Sequence, residues 1–212
     1  KTEQILIDTL KYYYPEATYI TEESGKIIGN EEMIVIDPID GTTNFIHGIP
    51  LVGIVIAKII NEEITDGVIY NPILDDFFWA SKGKGSWCNN NRLRVSKRQD
   101  IIDCIIGTGI PHMDRIYPQY LKEIDAITKN CAGLRRLGAA SIDLAYVAAG
   151  KLDAYWERNL NIWDVSAGVL LVKEAGGRVS QPNGESWDIH SKDILVSNSN
   201  IHEIIQEKLE II

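Results

Sequence analysis

Hydrophobic and polar residues recur with two different periods along the chain, and the change of period divides it into two parts. Up to about residue 96, short apolar or alternating stretches are separated by Asn-Pro, Lys-Gly-Lys-Gly and Asn-Asn-Asn segments, which predicts a series of β-hairpins. Beyond residue 97, strand-like stretches alternate with segments of helical period. The pattern predicts a mixed α+β protein, with a helix and an antiparallel sheet over residues 1–96 and an alternating α/β part over residues 97–212. Both parts are expected to form one compact unit.

Individual elements follow from the same pattern. The segment from Lys1 to Tyr14 predicts a helix, and the apolar run from Met33 to Ile36 predicts a buried strand. That strand is expected to end at Asp37-Pro38, because proline cannot donate a hydrogen bond to a neighbouring strand. Further strands are predicted at Thr18–Ile20, Leu51–Ile60, Asp66–Tyr70, Asp76–Ala80, Leu93–Ser96, Ile101–Gly107, Leu134–Leu137 and Asp153–Glu157. Further helices are predicted at Tyr117–Asn130, Ala140–Ala149, Asp164–Glu174 and His202–Leu209.

Composition and charge restrict the classes of function. With 212 residues, 45% of them hydrophobic and 24% charged, the chain has the composition of a soluble globular protein with a sizeable core. Its formal net charge of -9 would repel a polyphosphate backbone, so direct nucleic-acid binding is not expected. An anionic substrate would have to be attracted locally, and cations bound to carboxylates could do this by reversing the sign of the local field.

The cysteines and the apolar runs indicate the compartment. Cys88, Cys104 and Cys131 lie far apart in the sequence and form no CxxC pair, so neither a zinc site nor a disulfide framework is predicted. Reduced thiols favour a cytoplasmic protein. No leader and no apolar run of about 18 residues is present, which predicts that no segment spans a membrane. Because the first residue, Lys1, already belongs to a helical pattern, we expect a segment to precede it.

Two closely spaced acidic residues are the first candidate for chemistry. Asp37 and Asp40 are separated by a Pro-Ile step, at the end of the predicted strand. Mg²⁺ prefers about six oxygen ligands and usually keeps several waters, so two carboxylates and the carbonyl of Ile39 could suffice. The following Gly41 permits close approach of the backbone, and Thr42 or Thr43 could cap a helix whose free N–H groups point at a phosphate.

Each candidate also has a purely structural alternative. Asp-Pro and Asp-Gly are common in turns, so the isolated segment from Asp37 to Gly41 is also typical of a solvated loop. Glu22-Glu23 could be a solvated loop as well, and Asp164 could serve only as the cap of the following helix. The pair Glu157-Arg158 could be an exposed ion pair of little energetic value.

The combination of motifs is much more specific than any one of them. Residues 37–45 read Asp-Pro-Ile-Asp-Gly-Thr-Thr-Asn-Phe and are followed by Pro50, while residues 163–168 read Trp-Asp-Val-Ser-Ala-Gly and residues 174–177 Glu-Ala-Gly-Gly. Together with residues 22–25, Glu-Glu-Ser-Gly, they resemble the signatures of the inositol monophosphatase family. The resemblance implies a layered αβαβα sandwich, a homodimer, and a lithium-sensitive enzyme that uses two or three Mg²⁺ ions, with Mn²⁺ as a substitute.

Residue roles follow from that resemblance, position by position. It implies that metal ions are ligated by Glu22, Asp37, the carbonyl of Ile39, Asp40 and Asp164. Gly41 and Thr42 are expected to hold the phosphate, and Glu22 and Thr42 to orient the attacking water, with Asp40 as a further catalytic residue. The resemblance places substrate contacts at Gly138, Ala139, Ala140 and Glu157.

The expected activity is Mg²⁺-dependent hydrolysis of a small phosphorylated polyol or sugar, first of all myo-inositol monophosphate. Fructose 1,6-bisphosphate, histidinol phosphate, NADP or phosphoadenosine phosphate are alternative substrates of the same chemistry. A different class of function is a non-catalytic partner of the transcription and RNA machinery, with which bacterial relatives of this family are associated.

Overall fold

A computed structural model describes residues 1–110 and 118–210 of the chain. Within these residues the strands form two sheets. The first sheet has the order β2-β1-β3-β4-β5-β6-β7-β8. Its strands are β1 Thr18–Thr21, β2 Gly25–Ile27, β3 Met33–Asp40, β4 Gly53–Ile60, β5 Glu63–Asn71, β6 Asp76–Ser81, β7 Gly85–Cys88 and β8 Asn91–Arg92.

The second sheet has the order β10-β9-β11-β13-β12. Its strands are β9 Ile105–Thr108, β10 Gly133–Arg135, β11 Ala154–Glu157, β12 Arg178–Ser180 and β13 Ile194–Ser197. The α-helices of the described residues are α1 Thr2–Tyr13, α2 Thr42–Ile46, α3 Pro118–Thr128, α4 Ala140–Ala148, α5 Ile162–Glu174 and α6 His202–Glu210. The first sheet is antiparallel apart from the parallel pair β1 and β3, whereas in the second sheet β9 pairs in parallel with both β10 and β11.

The helices and sheets are stacked in five layers. Helix α1 covers the outer face of the first sheet, where Ile7 packs with Tyr19 and Ile34. Helices α4 and α5 lie between the two sheets. All residues of α4 except Tyr146 and the central residues Val165–Val172 of α5 are buried, as their mainly apolar sequences require. Helices α3 and α6 cover the far face of the second sheet around Trp156. The predicted mixed α/β fold and its αβαβα layering are confirmed.

Several element boundaries differ from those predicted from the sequence. Residues Leu93–Ser96 do not form a strand, because the last strand of the first sheet ends at Arg92. Helix α5 begins at Ile162 rather than Asp164. The predicted start of α3 at Tyr117 lies outside the described residues. The division of the chain near residue 97 stays a prediction.

Helices α4 and α5 are each followed closely by a glycine at which the chain turns away from the helix. After α4 the chain turns through Gly150 at a φ of 68°, and after α5 it turns through Gly176 at a φ of 89°. Such left-handed residues close helices most readily when they are glycine. Among the helices that the structure describes, none is long and apolar enough to cross a membrane.

Candidate metal and phosphate site

A bulge at the end of β3 brings Asp37 and Asp40 to the same side of the sheet. Asp37 is paired with Val55 and Asp40 with Gly53, so three steps along β3 match two steps along β4. Side chains alternate between the faces of a regular strand, and residues three apart would point in opposite directions. The extra residue of the bulge shifts the alternation by one position, so that the side chains of Asp37 and Asp40 point to the same side. The predicted strand end at Asp37-Pro38 is therefore wrong: β3 continues to Asp40, with Pro38 at the bulge, where its missing N–H is tolerated.

Gly41 lets the chain turn directly from this bulge into α2. Its φ is 82°, and a Cβ atom there would lie 2.9 Å from the carbonyl oxygen of Leu51 and 3.0 Å from Cβ of Ala139. Any other residue would be both strained and crowded at this position. Helix α2 therefore starts against the loop that contains Gly138 and Ala139. Asn44, 7% exposed, fixes this contact by donating hydrogen bonds to Leu51 and Leu137.

The hydroxyl group of Thr42 donates a hydrogen bond of 3.0 Å to the carbonyl oxygen of Ile39. Since a hydroxyl group has one proton, its lone pairs remain able to accept a further hydrogen bond. The Ile39 carbonyl also retains a second lone pair. Thr42 and Ile39 are thus linked to each other and to the two aspartates by one short turn.

Asp40 is held from the other half of the chain. Ser141, the second residue of α4, donates to Oδ2 of Asp40 from its backbone nitrogen at 2.7 Å and from its hydroxyl group at 2.5 Å. Asp37 is held locally, because its Oδ1 accepts the N–H of Ile39 at 2.9 Å. Hydrogen bonds within the protein thus restrain both carboxylates.

Glu22 reaches the site because β1 and β3 are parallel. Thr21 is paired with Ile36, so the next residues, Glu22 and Asp37, lie beside each other at the same edge of the sheet. The loop at Glu22 is held from α1, where Glu3 is 3% exposed and accepts hydrogen bonds from the backbone of Glu23 and from Ser24. This buried carboxylate is a feature that the sequence pattern did not indicate.

Asp164 lies in the first turn of α5 and is not its N-cap residue, which is Asn161. Its Oδ2 accepts the backbone N–H of Asn161 at 2.7 Å, as in a capping box. The structural alternative is therefore partly correct, since Asp164 stabilises the start of the helix. Asp164 nevertheless lines the cavity, so its role at the start of the helix does not remove it from the site.

Glu22, Asp37, Asp40 and Asp164 line one cavity. Its volume of about 410 Å³ is within the usual range for small-molecule sites. Every site residue predicted from the sequence lines this cavity, namely Glu22, Asp37, Ile39, Asp40, Gly41, Thr42, Gly138, Ala139, Ala140, Glu157 and Asp164. Residues 109–110, 136, 143 and 158–161 also line it and were not predicted, except for Arg158 as an ion-pair partner.

The carboxylates of the cavity raise one another's pKa values. Burial and then the charges of Asp40 and Glu22 raise the pKa of Asp37 to about 9. Burial also raises the pKa of Asp40 to about 6, although its hydrogen bonds from Ser141 act in the opposite direction. The pKa of Asp164 is raised to about 7 by burial, followed by the charges of Asp40 and Glu22. Negative charge is thus concentrated where a bound cation would relieve it.

These oxygen donors fit a hard cation such as Mg²⁺. Within residues 1–110 and 118–210, no three Asp, Glu, His or Cys side chains are gathered closely enough to hold a metal ion by themselves. Mg²⁺ does not need such a cage, because it keeps several waters and usually binds one or two carboxylates together with substrate phosphate oxygens. Restrained carboxylates facing an open cavity, with the Ile39 carbonyl between two of them, match that preference.

On the opposite wall, Glu157 ends β11 and is not paired with its neighbour Arg158. Arg158 instead forms ion pairs of 2.7 Å with Glu123, whose side chain is fully buried, and with Asp193. The alternative of an exposed Glu157-Arg158 pair is therefore wrong. Burial raises the pKa of Glu157 to about 7, while a hydrogen bond from Tyr155 lowers it.

Asp143 is the least expected polar residue in the cavity wall. It lies in the middle of α4, is 1% exposed, and its Oδ1 has no hydrogen-bond partner among the described residues. Burial, then the charges of Glu157 and Asp40, raises its pKa well above the usual value. Asp143 stands between Ile142 and Leu144 and is the only charged residue of α4, which is the signal by which the sequence could have revealed it.

A layered αβαβα fold in which several carboxylates and a helix start line one open cavity is typical of metal-dependent hydrolases of phosphate esters. The family model described as "Inositol monophosphatase family" matches residues 1–212, and the chain belongs to the inositol monophosphatase family. This is a family of metal-dependent phosphoric monoester hydrolases.

Individual relatives agree with this assignment. The chain is 44% identical to an inositol-1-monophosphatase of Caulobacter vibrioides, over 99% of this chain and 84% of that protein. It is also 42% identical to the Nus factor SuhB of Pseudomonas aeruginosa, over 93% of this chain and 75% of that protein. Its fold is similar to the solved inositol monophosphatase of Anabaena (Nostoc) sp. PCC 7120, with a TM-score of 0.96 and 35% identity, covering 99% of this chain and 84% of the other.

Proposed function

We propose that this protein hydrolyses myo-inositol monophosphate to inositol and phosphate, with Mg²⁺ ions bound by Glu22, Asp37, the carbonyl of Ile39, Asp40 and Asp164. The observation that carries the proposal is the convergence of these groups on one cavity with the start of α2. The names of the similar proteins support inositol monophosphate as the substrate.

On the metal side of the site, side chains of this protein position the attacking water. When bound, two or three Mg²⁺ ions supply positive charge that activates a water and stabilises the leaving oxygen. Glu22 accepts a hydrogen bond from the attacking water. The hydroxyl oxygen of Thr42 accepts a second hydrogen bond from this water, since the hydroxyl proton of Thr42 is donated to the carbonyl oxygen of Ile39. The two acceptors orient the water for in-line attack.

The substrate is held from two sides. The backbone N–H groups after Gly41 at the start of α2 bind the phosphoryl oxygens. Glu157 accepts hydrogen bonds from the polyol hydroxyl groups, and the small residues Gly138, Ala139 and Ala140 leave room for the ring at the start of α4.

The decisive experiment replaces Asp40 by Asn and measures phosphate release from myo-inositol 1-phosphate with and without Mg²⁺. The asparagine amide keeps an oxygen acceptor for Ser141 but removes the charge, so we expect folding to be retained and turnover to fall by at least about a hundredfold. Asp66→Asn is the matched control, because Asp66 lies on the surface of the first sheet and bonds only to Ser81 among the described residues. Turnover of Asp40→Asn near that of the wild type would overturn the proposal.

The same assay distinguishes an enzymatic function from a role as a non-catalytic partner protein. A relative of this chain is named Nus factor SuhB. Mg²⁺-dependent phosphate release by the purified chain alone supports the enzymatic function, whereas absence of release despite bound metal would support a partner role.

A panel of fructose 1,6-bisphosphate, histidinol phosphate, NADP and phosphoadenosine phosphate, compared by kcat/KM, identifies the preferred leaving group.

We further propose that the protein forms a homodimer through an apolar patch beside α2. The patch consists of Phe45, Ile46, Ile49, Ile73, Leu74 and Phe77, all of them exposed. The patch residues come from two chain segments, 45–49 and 73–77. These segments are joined next to the patch by a hydrogen bond of 2.9 Å that the side chain of Asn71 donates to the carbonyl oxygen of Pro50. Exposed apolar patches of this kind can mark protein–protein interaction sites. Sedimentation should show a dimer that Phe45→Ser weakens and Tyr12→Ser, at a separate exposed position, does not.

A further inference from the structure

Glu157 has a neighbour that does not line the cavity. Tyr155 and Glu157 are two residues apart on β11 and therefore lie on the same face of the second sheet. Tyr155 has no exposed surface, and its hydroxyl group donates a hydrogen bond to Oε2 of Glu157. The carboxylate of Glu157 at the cavity wall is thus hydrogen-bonded to the hydroxyl group of Tyr155 in the protein interior.

Two glycines of the adjacent chain segment make this arrangement possible. A Cβ atom at Gly109 would lie 1.9 Å from Cδ and from Oε2 of Glu157, so any side chain there would displace the carboxylate. A Cβ atom at Gly107, which is paired with Tyr155, would lie 3.3 Å from Cδ2 of the tyrosine ring. The Gly-Thr-Gly segment at the end of β9 therefore leaves a space of defined shape for the ring and the carboxylate.

The hydrogen bond makes the two oxygens of Glu157 unequal. Oε2 is engaged by Tyr155, whereas Oε1 has no hydrogen-bond donor among the described residues. The guanidinium group of Arg136 is close enough to favour the charged form of Glu157 without a direct hydrogen bond in the described part of the chain. One oxygen is therefore fixed by the interior, and the other is available to a ligand in the cavity.

We infer that Tyr155 is a positioning residue that sets the selectivity for hydroxyl-bearing phosphate esters, by fixing Glu157 so that Oε1 accepts a hydrogen bond from a substrate hydroxyl group. This inference rests on the proposed function, because it requires a phosphate ester in the cavity. It assigns part of the substrate selectivity to a side chain that never touches the substrate.

The test compares two substrates in Tyr155→Phe, which removes the hydroxyl group and keeps the ring. For myo-inositol 1-phosphate we expect KM to rise roughly tenfold with kcat changed less than about twofold, because a charged acceptor loses its orientation. For 4-nitrophenyl phosphate, which has no hydroxyl group, we expect kcat/KM to change less than about twofold. Gly109→Ala should cause the same substrate-selective loss by displacing Glu157 and leaving Tyr155 intact.

The control is Tyr19→Phe. Tyr19 is equally buried, and its hydroxyl group donates a hydrogen bond of 3.0 Å to Tyr14, far from the cavity wall. This variant should leave both substrates unchanged. A double-mutant cycle adds a second readout: Tyr155→Phe should cause no further loss for inositol phosphate in a Glu157→Ala background, where Tyr155 has no side-chain acceptor at position 157.

Two results would overturn the inference while leaving the proposed function intact. One is an equal loss for both substrates in Tyr155→Phe, and the other is full additivity of Tyr155→Phe and Glu157→Ala. Absence of metal-dependent phosphate release from either substrate by the wild-type protein would instead overturn the proposed function itself.

Discussion

Ser141 donates two hydrogen bonds to a single oxygen of Asp40, although the two residues are 101 positions apart in the sequence. The contact joins the end of β3 in the first sheet to the start of α4 in the layer between the sheets. The geometry of the acidic turn is thus determined by the packing of two distant segments as well as by its own sequence.

Ser141→Ala should weaken metal binding without disrupting the fold. The variant loses the hydroxyl donor and keeps the backbone donor, so Asp40 becomes less restrained. Removing such an outer partner of a ligand commonly lowers metal affinity or activity by roughly 10 to 100-fold. Titration of Mg²⁺ in the phosphate-release assay, with the half-saturating concentration as the readout, measures the effect. Ser86→Ala is the control, because Ser86 is also fully buried and its hydroxyl oxygen has no partner in the described residues.

Gly41→Ala should reduce both stability and activity. The φ of 82° alone costs a non-glycine residue about 1 kcal/mol. Contacts with Leu51 and Ala139 add to this cost, so we expect a loss of at least about 2 kcal/mol in the free energy of unfolding. Gly48→Ala isolates the first cost, since Gly48 has a φ of 71° and open space around it. Equal urea-denaturation midpoints for the two variants would show that α2 can move away from α4 without cost.

Asp143→Asn should stabilise the protein at neutral pH. The pKa of Asp143 is raised in the folded state by burial, then by the charges of Glu157 and Asp40. The folded state therefore binds more protons than the unfolded state at pH values above 3.8, the ordinary pKa of an aspartate, and stability falls as the pH rises through this window. The neutral variant avoids this loss, so its free energy of unfolding should exceed that of the wild type by about 1 kcal/mol or more at pH 8.

The comparison is made by urea denaturation in metal-free buffer at pH 4.5 and pH 8, and the advantage of the variant should shrink at the lower pH. Asp66→Asn, at a surface position, is the control. An advantage of Asp143→Asn that does not depend on pH would show that the carboxyl group does not titrate in this range.

His202 should make the protein less stable in acid. The side chain has no exposed surface, and its ring nitrogens are hydrogen-bonded to Ser180 at 2.9 Å and Ser197 at 2.7 Å. Burial, followed by the charge of Arg178, lowers its pKa from 6.5 to about 4. The unfolded state therefore binds more protons between these pH values, and this group lowers the stability by up to about 3 kcal/mol as the pH falls through the window.

The free energy of unfolding, measured by urea denaturation between pH 4 and pH 7, separates this contribution from those of the carboxylates. His202→Gln lacks the titrating group, so the difference in stability between wild type and variant should decrease as the pH falls. A difference that does not change between pH 4 and pH 7 would contradict the prediction.

Some elements of the fold could be predicted because their cause is local. The apolar sequence of α4 and the glycine at position 150 specify both a buried helix and its end. The alternation along β4 to β7 likewise predicts hairpins. By contrast, the continuation of β3 through Pro38 could not be predicted, because the bulge arises only when β4 pairs beside it.

By itself, the sequence determined the identity and spacing of the chemical groups: Asp37, Asp40, Gly41 and Thr42 within one turn, and an acidic residue at the start of α5. These follow from local backbone preferences and ligand chemistry. Only the tertiary structure decided which distant groups share their cavity, because the parallel pairing of β1 with β3 brings in Glu22, and the packing of α4 brings in Ser141 and Asp143. It also decided that Tyr155 lies behind Glu157, since the space between β9 and β11 exists only once the second sheet has formed.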